Sequence, residues 1–430
     1  MPAADIGAID RSNQRQSPLD LFLIFVGANV VATTFQVGAS LAGSFSLPTM
    51  LALIAIGSVA GAALVAALAP LGSRLRVPSV IATRPALGVT GAGLVAIVLY
   101  VSNFAWIALN NVIAASACAR AARVWLGPGG GAQTSWAIAL GLLATVVVWR
   151  GPRAVARADR VAVPLMFAVA VALTVACLRA ATSAVALPPS SMGLARGLDV
   201  VIGYQVSWIL MFADYSRYTR SPHGSAIAVF AALASTSLWM MPLGAVAARA
   251  AGSMDPGAML DAVGLGVSGA LLLTLATLTT NFVNIYMSSL AWKSLMPRTS
   301  DRAVVWSIGI VGTALSAIPS AWLDGYTSFM VILGGVLVPI GGLLVAHYYI
   351  RPARIDDATL EELYDPRGRF RGMSPAGLAA WTAGAVVYFA ADRWTAIGGT
   401  VPALATSIVV YALARGTGHG RLHNGVARGL

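Results

Sequence analysis

The run Ile24–Ser40, IFVGANVVATTFQVGAS, is apolar enough to enter a membrane, yet it carries Gly27, Ala28 and Asn29 in succession. A helix crossing lipid must satisfy its backbone N–H and C=O groups internally, so such an interruption is tolerated only where protein or a cavity surrounds it. A comparable interruption, Gly203, Tyr204 and Gln205, falls in the sixth apolar segment. Paired interruptions at corresponding positions of two halves point to an inverted-repeat transporter, whose broken helices expose backbone groups to a central site. Helix packing through small residues produces the same pattern, so the other polar residues have to weigh in.

Working outward, the 430 residues are 58% hydrophobic and 10% charged, with a mean hydropathy of +0.78. That leaves too little polar surface to cover a soluble globule of this size. Apolar runs of about 20 residues, the length that crosses the hydrocarbon as a helix, recur twelve times between residues 18 and 414. The expected fold is an all-α integral membrane protein. Its parts are a tail (1–17), ten core spans (18–350, the halves about 18–180 and 196–350), a loop (351–374), two further spans (375–414) and a second tail (415–430). The first apolar run is long and lacks a convincing cleavage site, so it is expected to remain as a span.

The net charge of +12 could suggest nucleic acid, but its distribution argues otherwise. On the twelve-span reading, Arg120, Arg123, Arg179, Arg196, Arg249 and Arg393 lie on one side, and the rest of the 28 basic residues lie on the other. That asymmetry follows the positive-inside rule and places both termini in the cytoplasm of a cell inner membrane. The expected partner of this charge is the lipid bilayer, with no nucleic acid. Cys118 and Cys177 have neither metal-ligand spacing nor a disulfide framework. Oligomeric state is not legible.

Polar residues recur at the middle of the spans. On the third, Asn103, Trp106 and Asn110 follow i, i+3, i+7 and share a helix face. In hydrocarbon both halves of an amide need partners, whether a helix, water or a ligand, and tryptophan offers a flat face to a planar ring. On the eighth span Thr277, Asn281, Asn284 and Ser288 form a second stripe, with Thr279 and Thr280 beside it. Hydroxyls and backbone carbonyls are hard oxygen donors suited to a small cation; threonines bonded to their own helix are the structural alternative. The sixth span supplies Tyr204, Gln205, Ser207 and Trp208, then ends in ADYSRYTRS, where Asp214 and Arg217 are spaced for a helix-end ion pair. No acidic residue is placed at the centre of a core span, so the cavity suits a neutral, planar, hydrogen-bonding solute and a cation held by oxygens.

Taken in order, IFVGANVVATTFQVGAS, RPALG at Arg84 to Gly88, WIALN from Trp106, DYSRY at Asp214 to Tyr218, ATLTTNFVNIY from Ala276 and PIGGLLVAHYY from Pro339 resemble the nucleobase:cation symporter-1 family, the purine and cytosine permease group, over essentially the whole chain. The resemblance implies a ten-helix core of two inverted five-helix repeats, a LeuT-like fold shared with amino-acid:sodium symporters, plus two C-terminal helices. It implies import of a base or related heterocycle with a cation, Na+ first and H+ as the alternative, without any other cofactor. Trp106 matches the family's stacking tryptophan and Asn110 a substrate-binding amide. Tyr204, Gln205 and Ser207 match the sixth-span substrate positions, and Asn281 and Asn284 the eighth-span amides, with Val30 completing the set. Ala276, Thr279 and Thr280, with the backbone near Val26 and Asn29, match the sodium ligands. Gln205 stands where relatives carry a second stacking aromatic, and His347 where many carry aspartate.

An amino-acid carrier on the same core is the neighbouring reading. An intramembrane enzyme finds no HExxH, GxSxG or P-loop in support, and the local clustering of polar groups argues against a continuous channel.

Overall fold

The computed structural model describes residues 6–127, 132–182, 184–187, 190–350, 357–365, 367–394 and 397–422. Parts of the expected loop and tails (residues 1–5, 351–356, 366 and 423–430) lie outside the described residues. The first half of the chain contains α1 (Pro18–Asn29), α2 (Ala32–Ser40), α3 (Leu47–Leu75), α4 (Ser79–Ala82), α5 (Arg84–Leu126), α6 (Gln133–Trp149) and α7 (Pro152–Ala180). Then come α8 (Leu194–Val206), a 3-10 turn (Ser207–Met211), α9 (Phe212–Ser216), α10 (Pro222–Ala251), α11 (Pro256–Ala262) and α12 (Gly266–Leu295). The remainder is α13 (Asp301–Leu315), α14 (Pro319–Asp324), α15 (Tyr326–Val345) with a π-turn (Ala346–Ile350), α16 (Asp357–Glu362), α17 (Pro375–Trp394) and α18 (Thr400–Leu422).

Burial is arranged for lipid. Asn29, Asn103, Asn110, Asn111, Gln205 and Asn281 are wholly inaccessible, whereas Ile56 and Leu178 are 59% and 70% exposed. Among the described residues, six helices are long and apolar enough to cross a membrane, seven with the bent α1–α2 pair, and α6, α17 and α18 are shorter apolar helices. The α8–α9 run and α13 occupy the other two positions among the twelve spans expected.

Local chemistry explains the element ends. Ser17 caps α1 in a reciprocal bond with Asp20, and Pro18 occupies the first turn, where its missing N–H costs nothing. At the RPALG turn Gly88 adopts φ +76°, and a Cβ there would lie 2.5 Å from the Gly372 carbonyl oxygen. Only glycine suits that position. The close approach lets Val89 and Thr90 donate to Phe370 and Gly372, each at 2.8 Å, seating the segment after α16 against the start of α5.

The helices sort into two packed groups. In one, α10 runs along α3 and contacts α1 and α2, while α8 packs on α3. In the other, α12 runs along α5, with α6 and α13 against both. The α2–α10 crossing is the tightest: a Cβ on Gly38 would sit 1.7 Å from the Met241 carbonyl oxygen, and one on Gly244 1.8 Å from that of Phe35. The helix α15 lies against α8 and carries the α17–α18 pair. That pair is bonded on by Ser407 to the Pro339 carbonyl (2.6 Å) and by the Trp381 indole to the Val336 carbonyl (3.0 Å). Asp199 of α8, itself buried, accepts from the Gly399 and Thr400 N–H groups at 2.6 and 3.1 Å and caps α18.

Candidate functional site

Both interruptions foreseen in the sequence are present, and both lie a few residues further along. The first helix ends at Asn29, Val30 and Val31 leave helical geometry, and α2 departs at 58°. Gly27 remains helical and opens onto a cavity. In the sixth span the regular helix runs through Gln205 and gives way to the 3-10 turn. Gly203 serves packing instead, since a Cβ there would meet the Met330 carbonyl oxygen at 2.2 Å. The first break is held by hydroxyls: Thr34 donates to the Asn29 carbonyl at 2.5 Å and shares a bond with the Tyr204 hydroxyl, and Tyr326 donates to the Thr33 carbonyl at 2.7 Å.

Two adjoining cavities lie between the helix groups. The smaller, about 40 Å³, is walled by Thr33, Asn103, Trp106, Tyr204, Trp208 and Asn284, among others; it has room for no more than a few waters. The larger, about 400 Å³, shares Ala28, Thr280 and Val283 with it and continues past Thr279 and Asp214 to Gln16 of the N-terminal segment.

Trp208 joins Trp106 and Tyr204 in the aromatic wall of the smaller cavity, and further rings back that wall from outside the lining. Trp106 meets Tyr204 edge-on at 5.8 Å and Phe329 of α15 at 5.2 Å. Trp208 packs against Phe25 at 5.6 Å, and its indole N–H is buried without a partner.

The polar residues divide by what they bond. Gln205 donates to Ser237 of α10 at 2.9 Å, Asn110 to the Trp106 carbonyl of its own helix at 2.9 Å, and Asn281 to Asn111 of α5 at 2.9 Å. None of these three amides lines either cavity. Gln205 and Asn281 knit helices within one group or the other, and Asn110 bonds within α5. Asn103 donates to Ser288 at 2.8 Å, but its oxygen is buried and unpartnered, as is the Asn284 nitrogen, and both residues face the smaller cavity. Trp106, Tyr204 and Ser207 line it too, and the Ser207 hydroxyl donates to the Tyr204 carbonyl at 2.7 Å. Val30 is wholly buried, and Val31 takes the place at the cavity.

Among the sodium candidates, Thr279 and Thr280 line the larger cavity opposite Gly27 and Ala28. Their hydroxyls donate to the Ala276 carbonyl at 3.0 and 2.7 Å, leaving oxygen lone pairs available. The Val26 carbonyl accepts from the Val30 N–H, and the Asn29 side chain turns to Thr236 and Ser237 of α10. Asp214 receives the Ser79 hydroxyl at 2.6 Å. It brings a carboxylate to the wall of the larger cavity, which the reading of an acid-free site did not anticipate.

Trp208 was legible as a candidate, four residues after Tyr204 and hence on the same face. Phe329, which backs Trp106 without lining the cavity, reads in the sequence as the packing residue it is.

A sequence model of permeases for cytosine/purines, uracil, thiamine and allantoin matches residues 8–412. The chain belongs to that permease family. Members are transporters, not enzymes. The cytosine permease of Escherichia coli O157:H7 is 27% identical over 223 residues, 50% of this chain and 52% of the relative, so the match spans about half of that permease's length. Mhp1, a nucleobase-cation-symport-1 family transporter solved closed with bromovinylhydantoin bound, superposes with a TM-score of 0.77 at 19% identity, covering 97% of this chain and 95% of Mhp1. Its inward-facing form gives 0.78 at 18% identity, over 96% and 95%. A Na+-coupled sialic acid symporter gives 0.62 at 12% identity, over 95% and 91%. The permease fold is thus a LeuT-like inverted-repeat core with two helices appended.

Proposed function

We propose that this permease imports a neutral, planar nucleobase-like heterocycle, cytosine or a purine first, by alternating access across a cell inner membrane with both termini cytoplasmic. The carrying observation is the set of unpaired groups around the smaller cavity: the Asn103 oxygen, the Asn284 nitrogen and the Trp208 N–H, flanked by the Trp106 and Tyr204 rings. Buried polar groups without partners are costly. A flat solute with adjacent donors and acceptors supplies what they lack, and the rings give it a stacking surface. At about 40 Å³ the cavity is contracted, so binding requires the helix groups to part.

A cation, Na+ first, would be held by the Thr279 and Thr280 hydroxyl oxygens with the backbone beside Gly27 and Ala28. Coupling needs only that each ligand bind better in the presence of the other, a reciprocal effect of about 1 to 3 kcal/mol. Asp214 on the same cavity favours H+ as the second reading, since a carboxylate can carry the proton itself.

The test is uptake of labelled cytosine into proteoliposomes under an imposed sodium or proton gradient, with purines, pyrimidines and amino acids as competitors. Competition by bases and a gradient requirement are expected; competition by amino acids alone would overturn the substrate assignment.

A further inference from the structure

On the face that holds the N-terminal segment, a cavity of about 620 Å³ is lined by Arg11, Arg74, Arg76 and Arg220, with buried Gln14 and Ser73 among its walls. No carboxylate lines it among the described residues. Arg76 also lines an adjoining cavity of about 410 Å³ with Asp10 and Glu361, so its charge is shared, but Arg11, Arg74 and Arg220 have no acidic companion around this space. Convergence of like charges is unfavourable unless an anion or screening salt offsets it.

The surrounding backbone is firmly built. The Gln14 amide donates to the Ser73, Arg217 and Thr219 carbonyls at 2.9, 3.1 and 3.3 Å, tying the N-terminal segment to the end of α3 and to the α9–α10 connection. Ile9 donates to the Arg76 carbonyl at 3.0 Å. Arg76 ends α3 at φ 61°, the one non-glycine residue in the left-handed region among the described residues, with its N–H on the Gly72 carbonyl, a helix stop that fixes where the chain turns.

We propose that this cavity binds a phosphate-type anion, either free or as a phospholipid headgroup, and so pins the N-terminal segment, which reaches the larger transport cavity through Gln16. Guanidinium groups match phosphate oxygens in paired hydrogen bonds, whereas chloride offers no such geometry. The site is separate from the substrate cavity and does not depend on which solute is carried.

The experiment measures the Tm of the purified full-length protein in detergent during titration with inorganic phosphate at constant ionic strength. A parallel titration uses short-chain phosphatidic acid below its micelle concentration, against short-chain phosphatidylcholine. A saturable rise in Tm is expected, with the half-saturating concentration roughly tenfold higher for Arg74→Gln/Arg220→Gln. Arg298→Gln/Arg371→Gln, which removes the same charge outside the cavity, should respond as the parent does. Arg220→Gln alone, an exposed position, serves if the double variant gives no folded protein. Saturation by inorganic phosphate supports the site with a soluble ligand; saturation by phosphatidic acid alone supports it with a lipid headgroup. Absence of a saturable shift, or equal responses from the two double variants, overturns it.

Discussion

Asn29 and Gln205 donate to the same oxygen: each side-chain amide lies 2.9 Å from the Ser237 hydroxyl of α10. One belongs to the first interrupted span and the other to the sixth, so a single serine on a third helix joins the two. A hydroxyl oxygen has lone pairs for both.

Replacing that serine tests the joint. Ser237→Ala takes one acceptor from each amide, Asn29 keeping Thr236 at 2.7 Å, while creating little empty space, and it is expected to cost about 1 to 3 kcal/mol. Thermal unfolding in detergent should show a clear fall in Tm. An unchanged Tm would show that the shared bond contributes nothing.

The two asparagines of α12 should respond in opposite ways. Asn281 bonds Asn111 away from the cavities, so Asn281→Ala is expected to lower Tm by an amount corresponding to about 1 to 3 kcal/mol with little change in base affinity. Asn284 carries an unpartnered nitrogen at the smaller cavity, so Asn284→Ala is expected to weaken base binding roughly tenfold, the effect of one good hydrogen bond, at preserved Tm. Tm and isothermal binding measured on the same preparations separate the two roles.

Trp208→Phe keeps a ring against Phe25 and removes only the unpaired N–H. Stability should hold or rise slightly, because a buried donor without a partner is eliminated, while base affinity falls by about 1 kcal/mol. Loss of Tm with unchanged affinity would take Trp208 out of the site.

The cation assignment is checked at Thr280 and Asp214. Thr280→Val keeps the shape and deletes the oxygen, so the sodium concentration for half-maximal uptake should rise roughly tenfold if that hydroxyl is a ligand. If Asp214 carries a coupling proton, Asp214→Asn should abolish accumulation driven by a pH gradient. Uptake under each gradient in proteoliposomes distinguishes the alternatives.

At the α2–α10 crossing there is no room for a methyl group. Gly38→Ala or Gly244→Ala places carbon within 2 Å of a main-chain oxygen, which the helices can relieve only by separating. The expected cost is at least about 1 to 3 kcal/mol, and size-exclusion profiles should show less monodisperse protein.

Much of this was legible in the sequence because lipid enforces simple rules: long apolar runs became helices, and the two interrupted runs became a bent pair and a 3-10 turn beside the cavities. Helical spacing was less decisive for individual amides. Asn103, Trp106 and Asn110 share a side of α5, yet that side is broad enough that Asn103 and Trp106 reach the cavity while Asn110 bonds back to its own helix. Asn281 and Asn284 are three residues apart, about 60° around the helix, enough for one to meet Asn111 and the other the cavity. Gln205 was undecidable locally, since Ser237, its bonding partner, lies on another helix. Periodicity gives a side of a helix; it does not give the neighbour waiting there.

The Asp199 cap on α18 bears on what the last two helices do. A carboxylate rooted in the sixth span grips the leading turn of the final helix, so that turn is harnessed to a wall of the transport route. Cladding could be stripped without consequence; a harnessed strut cannot, and cutting the chain before Gly399 would take three hydrogen bonds from a buried carboxylate.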